Sequence, residues 1–219
     1  MSAIDLATLR AAVRFRGDYQ NVRKFPDEDL NREIQTSFAE FYELIADTYE
    51  GYWDTQGTKT TTASTSFVAL PADGWRVFGV DRLDGDQYVE LRQVGTGDRN
   101  RFSTTTGTPV AYRLTARGID LFPTPDAAYT LRVTYTPIAP ALQEAQAREW
   151  FNGWENLVIN LTLLKLDQRE QRPLNERLAI IDREKMRITS GATKRKSQEP
   201  EYLNLREHVS VDPWDRENY

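Results

Sequence analysis

One long amphipathic segment, residues 26–52, constrains the fold more than any other part of the sequence. Large apolar residues recur along it in steps of three or four, the spacing that places side chains on one face of an α-helix. Its apolar positions are Leu30, Ile34, Phe38, Phe41, Ile45, Tyr49 and Tyr52. The pattern predicts a helix of about 26 residues, roughly 39 Å long, whose apolar face must pack against other helices.

Both ends of this helix carry recognisable signals. Pro26 suits the first turn, because the N–H that proline lacks would have no partner within the helix there. The acidic residues 27–29 place negative charge against the positive end of the helix dipole. Gly51 and the Gln56-Gly57 pair mark the exit.

A shorter helix is predicted ahead of the long one, over residues 4–16. Leu6, Leu9, Val13 and Phe15 are expected to form its apolar side. The other side is basic, with Arg10, Arg14 and Arg16. We interpret this basic side as a solvated face rather than as an anion-binding site.

Helical periodicity returns in two segments after the middle of the chain. From about Ala147 to about Glu170 a wide apolar face includes Trp150 and Phe151. Pro173 then opens a last helix. Its inward-directed residues are expected to be Leu174, Leu178, Ile181, Met186 and Ile188. The four helices together predict a helical bundle formed by residues 1–57 and 141–190.

The middle of the chain, residues 58–140, is rich in β-formers and is punctuated by glycine and proline. Six strands are predicted, at 60–70, 75–82, 88–92, 109–114, 119–122 and 129–135. Residues 83–86, Leu-Asp-Gly-Asp, are a hairpin signal between the second and third strands. We expect the second strand to be covered on both faces. This spacing predicts a small antiparallel sandwich or barrel inserted between the helices, and therefore an α+β fold.

The last segment, residues 191–219, has no sustained period, and we predict that it is an extended C-terminal arm. Large apolar residues are spread through its polar sequence, and an extended segment cannot bury them by itself. The predicted partner-binding residues are Tyr202, Leu203, Leu205, Val209, Val211, Trp214 and Tyr219. We favour burial on a neighbouring subunit, because the final residues pair Trp and Tyr with charge as interface anchors do.

Composition excludes several classes of function. The chain has no cysteine, so thiolate catalysis and cysteine-based zinc sites are excluded. The formal net charge of −5 does not favour binding of nucleic acid by the chain as a whole. No apolar run approaches the roughly 20 residues of a membrane span. The N-terminus lacks the basic start and apolar core of a signal peptide.

The sequence predicts no enzyme: no catalytic, cofactor-binding or metal-binding residue is assigned, and no cofactor is expected. The chain contains one histidine, His208, which we interpret as an exposed or interface residue. Asp81, Asp84 and Asp86 are spaced somewhat like calcium ligands. Position twelve of such a loop is Arg92 instead of glutamate, so a polar hairpin is the better interpretation.

A sugar-binding function is an alternative for the strand-rich middle. Residues 58–66 are rich in threonine and serine, and Trp75 and Tyr88 could stack on sugar rings. An edge strand with aromatic residues in the core is the more common explanation of such a composition.

Three stretches, residues 25–35, 60–77 and 121–135, resemble the head-to-tail adaptor (connector, or gatekeeper) proteins of tailed bacteriophages. Residues 25–35 are similar to the aromatic, acidic, Leu, Arg, Ile opening of the long adaptor helix. Residues 60–77 include Leu70-Pro71-Ala72-Asp73, which resembles the Leu-Pro-x-Asp strand and turn of the family. The most specific likeness is in residues 121–135, from Leu-Phe-Pro-Thr-Pro-Asp to Val-Thr-Tyr, followed by Pro140-Ala141-Leu142.

The resemblance implies a structural protein of the virion neck, made in the host cytoplasm. Such adaptors form a ring, usually twelve-fold, between the phage portal protein and a tail nozzle or tail-completion protein. DNA passes through the ring without specific binding, and no membrane is involved. Two alternatives remain open: another neck or tail-completion protein, and a carbohydrate-binding or fibre-attachment module.

Overall fold

The computed structural model describes residues 4–49, 51–95, 97, 106–144 and 153–196. The helices are α1 (Leu6–Gly17), α2 (Asp27–Thr48), α3 (Glu155–Arg169) and α4 (Asn175–Lys196). The strands are β1 (Thr55–Thr60), β2 (Phe67–Ala69), β3 (Gly74–Asp84), β4 (Gln87–Glu90), β5 (Arg92–Gln93), β6 (Thr106–Gly107), β7 (Ala111–Leu114), β8 (Gly118–Phe122), β9 (Thr124–Pro125) and β10 (Thr130–Pro137). The predicted α+β fold, with four helices around a strand-rich middle, is confirmed.

The long helix α2 lies at the centre of the helical bundle. Its predicted stripe is fully buried at Leu30, Ile34, Phe38, Phe41 and Ile45. The helix is shorter than predicted, because Tyr49 has extended backbone angles (φ −116°, ψ 96°) and Gly51 has a positive φ of 75°. The chain therefore turns before Tyr52, which lies outside the helix.

Helix α1 packs on α2 and α3 through Leu6, Leu9 and Val13, as predicted. The prediction is wrong for Phe15, which is 82% exposed. The interpretation of its arginines as a solvated face is wrong for two of them. The side chains of Arg10 and Arg14 are only 18% and 13% exposed, because Arg10 pairs with Glu144 and Arg14 with Asp27. These ion pairs connect α1 to the start of α2 and to the chain that leaves the β-strands.

Helix α4 packs on the bundle through a narrower stripe than predicted. Ile181 and Ile188 are buried as expected, but Leu178 is 42% and Met186 is 70% exposed. Ala192, four residues after Ile188, is also buried. Ile181, Ile188 and Ala192 therefore mark the face of α4 that contacts the bundle, and Leu178 and Met186 lie outside that face. Helix α3 begins at Glu155, so the prediction that it includes Gly153 and Trp154 is wrong; Gly153 has a positive φ of 85°. Trp150 and Phe151 lie outside the described residues.

The strands form a β-module, here meaning residues 55–137, with two four-stranded sheets. One sheet has the order β1-β10-β3-β4, and the other has the order β2-β8-β7-β5. Pairing is antiparallel in both sheets except between β5 and β7, and the short β6 and β9 also pair in parallel. The predicted hairpin is present, with Asp84 opposite Gln87.

Two predictions about individual strands are wrong. The predicted strand 60–70 is two strands, β1 and β2, which belong to different sheets. The second predicted strand, now β3, is not covered on both faces, since Trp75 and Phe78 are 40% and 37% exposed. Register shifts against β10 near these two residues disturb the alternation that the sequence pattern assumes.

The described residues contain two separate hydrophobic cores. The first includes buried residues of all four helices, such as Leu9, Phe38, Leu163 and Ile188. The second lies between the two sheets and includes Val80, Leu131, Ile119 and Leu121. Strands β1 and β10 are adjacent and antiparallel, with Thr55 opposite Tyr135, so the module leaves and rejoins the helices at neighbouring positions.

Within the described part of the chain, no helix has both the length and the apolar character that crossing a membrane requires.

Candidate interaction site at the bundle–module junction

The seven partner-binding residues predicted from the sequence all lie beyond Lys196, outside the described residues. What the structure does describe is the start of the predicted arm. Helix α4 continues through Gly191 to Lys196, six residues into the range that the sequence assigned to the arm. The partner-binding assignment therefore stays a prediction.

A cavity of about 620 Å³ lies where the helical bundle meets the β-module. Its walls come from the end of α2, the connection between α2 and β1, the turn before β3, and the segment after β10. The described residues that line it are Tyr42, Tyr52, Trp53, Asp54, Asp73, Pro137, Ile138 and Pro140. Aromatic rings, proline rings and two carboxylates thus share one concave surface.

Tyr42 and Trp53 form the aromatic wall of this junction cavity. Their rings stack at 4.7 Å between centroids with an interplanar angle of 14°. The Trp53 indole nitrogen donates to the Tyr42 carbonyl oxygen at 3.3 Å, and the Tyr42 hydroxyl donates to the Pro137 carbonyl oxygen at 3.1 Å. These contacts fix the orientation of both rings, so the aromatic wall is held in place by the fold itself.

The two carboxylates lie beside hydroxyl groups of β10. Thr136 Oγ1 donates to Asp54 Oδ1 at 3.1 Å, and the Tyr135 hydroxyl donates to Asp73 Oδ1 at 3.0 Å. Burial and, secondarily, the negative charges of Asp54 and Asp73 raise the pKa of Tyr42 to about 12. Burial likewise raises the pKa of Tyr135, with a further contribution from Asp73. The cavity therefore has a negative electrostatic character.

A series of aromatic contacts connects the cavity to the end of α4. Tyr52 lies edge-on to Trp53 at 4.6 Å and also contacts Trp154 at 6.1 Å. Tyr49 stacks on Trp154 at 5.5 Å and donates its hydroxyl hydrogen to the Ile188 carbonyl oxygen at 2.9 Å. The last turns of α4 are thus held at the end of the bundle that faces the β-module.

The aromatic pair considered for sugar binding does not form one site. Tyr88 lies opposite Leu83 on β3, eight residues along that strand from Trp75, which corresponds to roughly 26 Å at 3.3 Å per residue. The guanidinium of Arg132 covers the Tyr88 ring at 4.0 Å. Both rings are 40% exposed, so the expectation that they belong to the core is also wrong.

The aspartates considered as calcium ligands have other partners. Asp81 Oδ2 accepts from Arg132 at 2.7 and 2.9 Å, and Asp84 Oδ2 accepts from Arg82 at 3.0 Å. Among the residues with described positions, no cluster of three or more acidic or histidine side chains could hold a metal ion. His208 lies outside those residues.

Sequence reasoning missed the junction cavity entirely. The only available signal was the density of aromatic residues at 49–53, where the helix pattern ended. The other walls come from Asp73 and from prolines near residue 140, which are distant in the sequence and meet only because β1 pairs with β10.

A long central helix with an inserted β-module is the architecture expected of a phage head-to-tail adaptor. A protein-family model described as "SU10 adaptor protein" matches residues 4–179, well over half of the chain. The chain therefore belongs to the SU10 adaptor protein family, a family of phage head-to-tail adaptors. No curated protein matches the chain.

Membership in this family gives the chain its general role. It is a structural adaptor between the head and the tail of a phage, a component of the virion, and it interacts with other head or tail proteins. The resemblance that residues 25–142 suggested is confirmed, and the family match extends beyond it at both ends.

Proposed function

We propose that this chain is the subunit of a ring, twelve-fold as is usual for such adaptors, between the portal protein and the tail nozzle or a tail-completion protein. The family match over residues 4–179 carries this proposal. DNA would leave the head through the lumen of the ring. The net charge of −5 supports passage without tight binding, because a surface lacking excess positive charge does not retain a polyanion by counterion release.

We assign separate roles to the helical bundle, the β-module and the arm. Residues 1–54 and 138–196 would form the bundle that packs side by side in the ring, and the β-module, residues 55–137, would be directed at other neck proteins. Residues 197–219 would reach the portal or a neighbouring subunit. Anchors in this arm would be Tyr202, Leu203, Leu205, Val209, Val211, Trp214 and Tyr219.

The adaptor role needs no catalysis, and we assign the chain no enzymatic activity. Its site of action would be the neck of the virion, after synthesis in the host cytoplasm. We expect the isolated protein to be monomeric and to assemble only on the portal, because a segment ordered by its partner contributes little to association before that partner is present.

Native mass spectrometry of the chain with and without purified portal tests the proposal. We expect monomers alone and a defined number of copies on each portal. A portal that never recruits this chain would defeat the proposal.

The contribution of the arm is tested by ending the chain after Lys196. This end point keeps the buried Ala192, which removal from residue 191 would delete, and it keeps the helical turn that follows Ile188, the residue whose carbonyl oxygen accepts from Tyr49. We expect a folded protein that no longer attaches to the portal. A full-length variant carrying Trp214→Ser and Tyr219→Ser should also attach more weakly, and unchanged attachment of both proteins would reject the role of the arm.

A further inference from the structure

The side of α4 that points away from the bundle combines exposed apolar side chains with an excess of positive charge. We infer that, before assembly, this side is covered by the arm of the same chain, residues 197–219. The outer face of α4 here means the exposed Leu178, Asp182 and Met186, which lie at helical spacing, with Arg183 and Lys185 beside them. The inference goes beyond the proposed function, because it concerns the free chain and not the ring.

The apolar side chains of the outer face favour a peptide as its partner. Met186 is 70% exposed and Leu178 is 42% exposed, although the opposite side of the same helix is buried through Ile181 and Ile188. A partner that brings apolar side chains would remove this surface from water. The phosphate backbone of a nucleic acid offers no apolar surface of this kind.

The charges of α4 and of the arm are complementary. Residues 183–196 contain six basic residues and one acidic residue, whereas residues 197–219 contain six acidic residues and two arginines. On the outer face itself, Arg183 and Lys185 are exposed and outweigh the charge of Asp182. An acidic segment is therefore attracted to the same side of α4 on which the apolar residues lie.

The sequence of the arm contains a short apolar alternation that fits the outer face. Its members are Leu203, Leu205, Val209 and Val211. In an extended segment these residues share one side, together with Glu207. Leu205 and Val209 are then about 13 Å apart at 3.3 Å per residue. Met186 and Leu178 are about 12 Å apart along the helix at 1.5 Å per residue, so the two apolar spacings match.

The arm begins close enough to its own α4 to cover the whole outer face. Helix α4 ends at Lys196, and the distance back to Leu178 is about 27 Å along the helix. The 23 residues from 197 to 219 span up to about 76 Å when extended. Pro200 disfavours continuation of the helix and favours a turn of the chain. Because a short tether gives an effective concentration of about 1 mM, the arm of the same chain is favoured over that of a second copy.

Two other exposed apolar surfaces suit the arm less well. Phe15 is 82% exposed, but α1 ends at the end of the bundle where Tyr19 bonds to Asp167, whereas α4 ends beside the β-module. Trp75 and Phe78 lie on β3, where the cation between them is already paired with an acidic residue of α2 at 2.7 Å. No excess of positive charge therefore attracts the acidic arm to β3.

The test measures the accessibility of a thiol on the outer face, and the natural chain suits it because it contains no cysteine. Met186→Cys places the thiol there in the full-length protein. Its rate of alkylation by N-ethylmaleimide is compared with the rate in the same variant that also carries Leu205→Ser and Val209→Ser. We expect alkylation to be about tenfold slower with the natural arm, as an effective concentration of about 1 mM gives for a contact with a Kd of about 0.1 mM.

Thiols at two other exposed positions are the controls. Phe15→Cys and Phe78→Cys should be alkylated at the same rate with either arm. Arg183→Gln combined with Lys185→Gln, introduced into both Met186→Cys proteins, should reduce the difference between them to about threefold, because each exposed ion pair makes a modest contribution. Near-ultraviolet circular dichroism checks that every variant is folded.

Equal rates with both arms at position 186 would overturn the inference, and so would slower alkylation with the natural arm at position 15 or 78 instead. Dilution of the protein separates the two possible sources of the arm. A contact within one chain keeps the same difference in rate, whereas a difference that disappears on dilution would assign the outer face to the arm of a second copy and contradict the inference. None of these measurements involves a portal, so their failure leaves the adaptor role intact, and failure of portal recruitment would affect the proposed function alone.

Discussion

The hydroxyl of Tyr19 donates a 2.7 Å hydrogen bond to the buried carboxylate of Asp167, which lies 148 residues further along the chain. The second carboxylate oxygen binds Arg177 of α4 at 3.1 Å. Arg172 stacks on the Tyr19 ring at 4.8 Å, and its Nη1 donates to the Gly17 carbonyl oxygen at 3.0 Å. One buried acid therefore joins the end of α1 to α3 and α4, at the end of the bundle far from the β-module.

Removing the charge of Asp167 should destabilise the bundle. In the Asp167→Asn variant, Arg177 loses its counter-ion, and we expect the free energy of unfolding to fall by about 2–3 kcal/mol, less than for a fully buried pair because Arg177 is partly exposed. Tyr19→Phe removes one hydrogen bond and should cost about 1–2 kcal/mol. Urea denaturation measures both values.

The matched control for these variants is Glu28→Gln. The Glu28 side chain is 88% exposed and lies 3.9 Å from Arg32, so its loss should change the free energy of unfolding by less than about 0.5 kcal/mol. If Asp167→Asn lowered the free energy of unfolding no more than this control does, the Asp167 carboxylate would not stabilise the contact between the helices.

Gly17 should not tolerate a side chain. A Cβ at this position would lie 2.5 Å from Leu163 Cδ2 and closer still to the Tyr19 ring. Gly17→Ala should therefore lower the free energy of unfolding by about 1–3 kcal/mol through overpacking. Gly79→Ala is the control, because apart from its chain neighbours no atom of the described residues lies within 4 Å of its added Cβ, and its stability should be unchanged or slightly higher. Equal stabilities of the two variants would contradict the packing described here.

The hydroxyl of Tyr42 predicts a dependence of stability on alkaline pH. Its pKa in the folded protein is about 12, whereas an unfolded tyrosine titrates near about 10. The unfolded chain therefore loses this proton first as the pH rises. The stabilisation is complete below about pH 10 and is lost between about pH 10 and pH 12.

Comparison with Tyr42→Phe isolates this residue from the other tyrosines of raised pKa, such as Tyr112 and Tyr135. Phenylalanine keeps the ring that stacks on Trp53 and removes the titrating group. Between about pH 10 and pH 12, the free energy of unfolding should fall less steeply for the variant than for the natural protein. Parallel curves would show that Tyr42 titrates normally.

Tyr49 should hold the last turns of α4 against the bundle. Its hydroxyl bond to the Ile188 carbonyl oxygen is buried, so Tyr49→Phe should cost about 1 kcal/mol. Hydrogen exchange should accelerate at the amides of α4 after Ile188. Ser190→Ala removes an exposed hydroxyl bond to the Arg187 carbonyl oxygen and is the control. Equally slow exchange in both variants would show that the hydroxyl bond of Tyr49 does not stabilise the end of α4.

The sequence was most informative where a pattern repeats over many residues. The apolar stripe of α2 predicts the buried face of this helix correctly from Leu30 to Ile45, because the spacing of three or four residues is repeated at every helical turn. The pattern is weaker where the chain departs from regular geometry. The register shifts of β3 near Trp75 and Phe78 depend on β10, more than fifty residues away, and cannot be inferred from local alternation.

The junction cavity could not be predicted for a related reason. Tyr42 lies within the predicted helix but not among its predicted apolar positions, Asp73 lies in the Leu-Pro-x-Asp turn, and Pro137 follows the last predicted strand, so each belongs to a different local pattern. Only the pairing of β1 with β10 brings them together. The family resemblance was visible because it is carried by contiguous runs such as residues 121–135. The arm residues beyond Lys196 remain a prediction.

Cryo-electron microscopy of the neck of the phage that encodes this chain tests the central claim most directly. We predict a ring of copies between portal and tail, with the four-helix bundle and the two-sheet module recognisable in every subunit. A complete neck in which portal and tail are joined without density for this chain would contradict it.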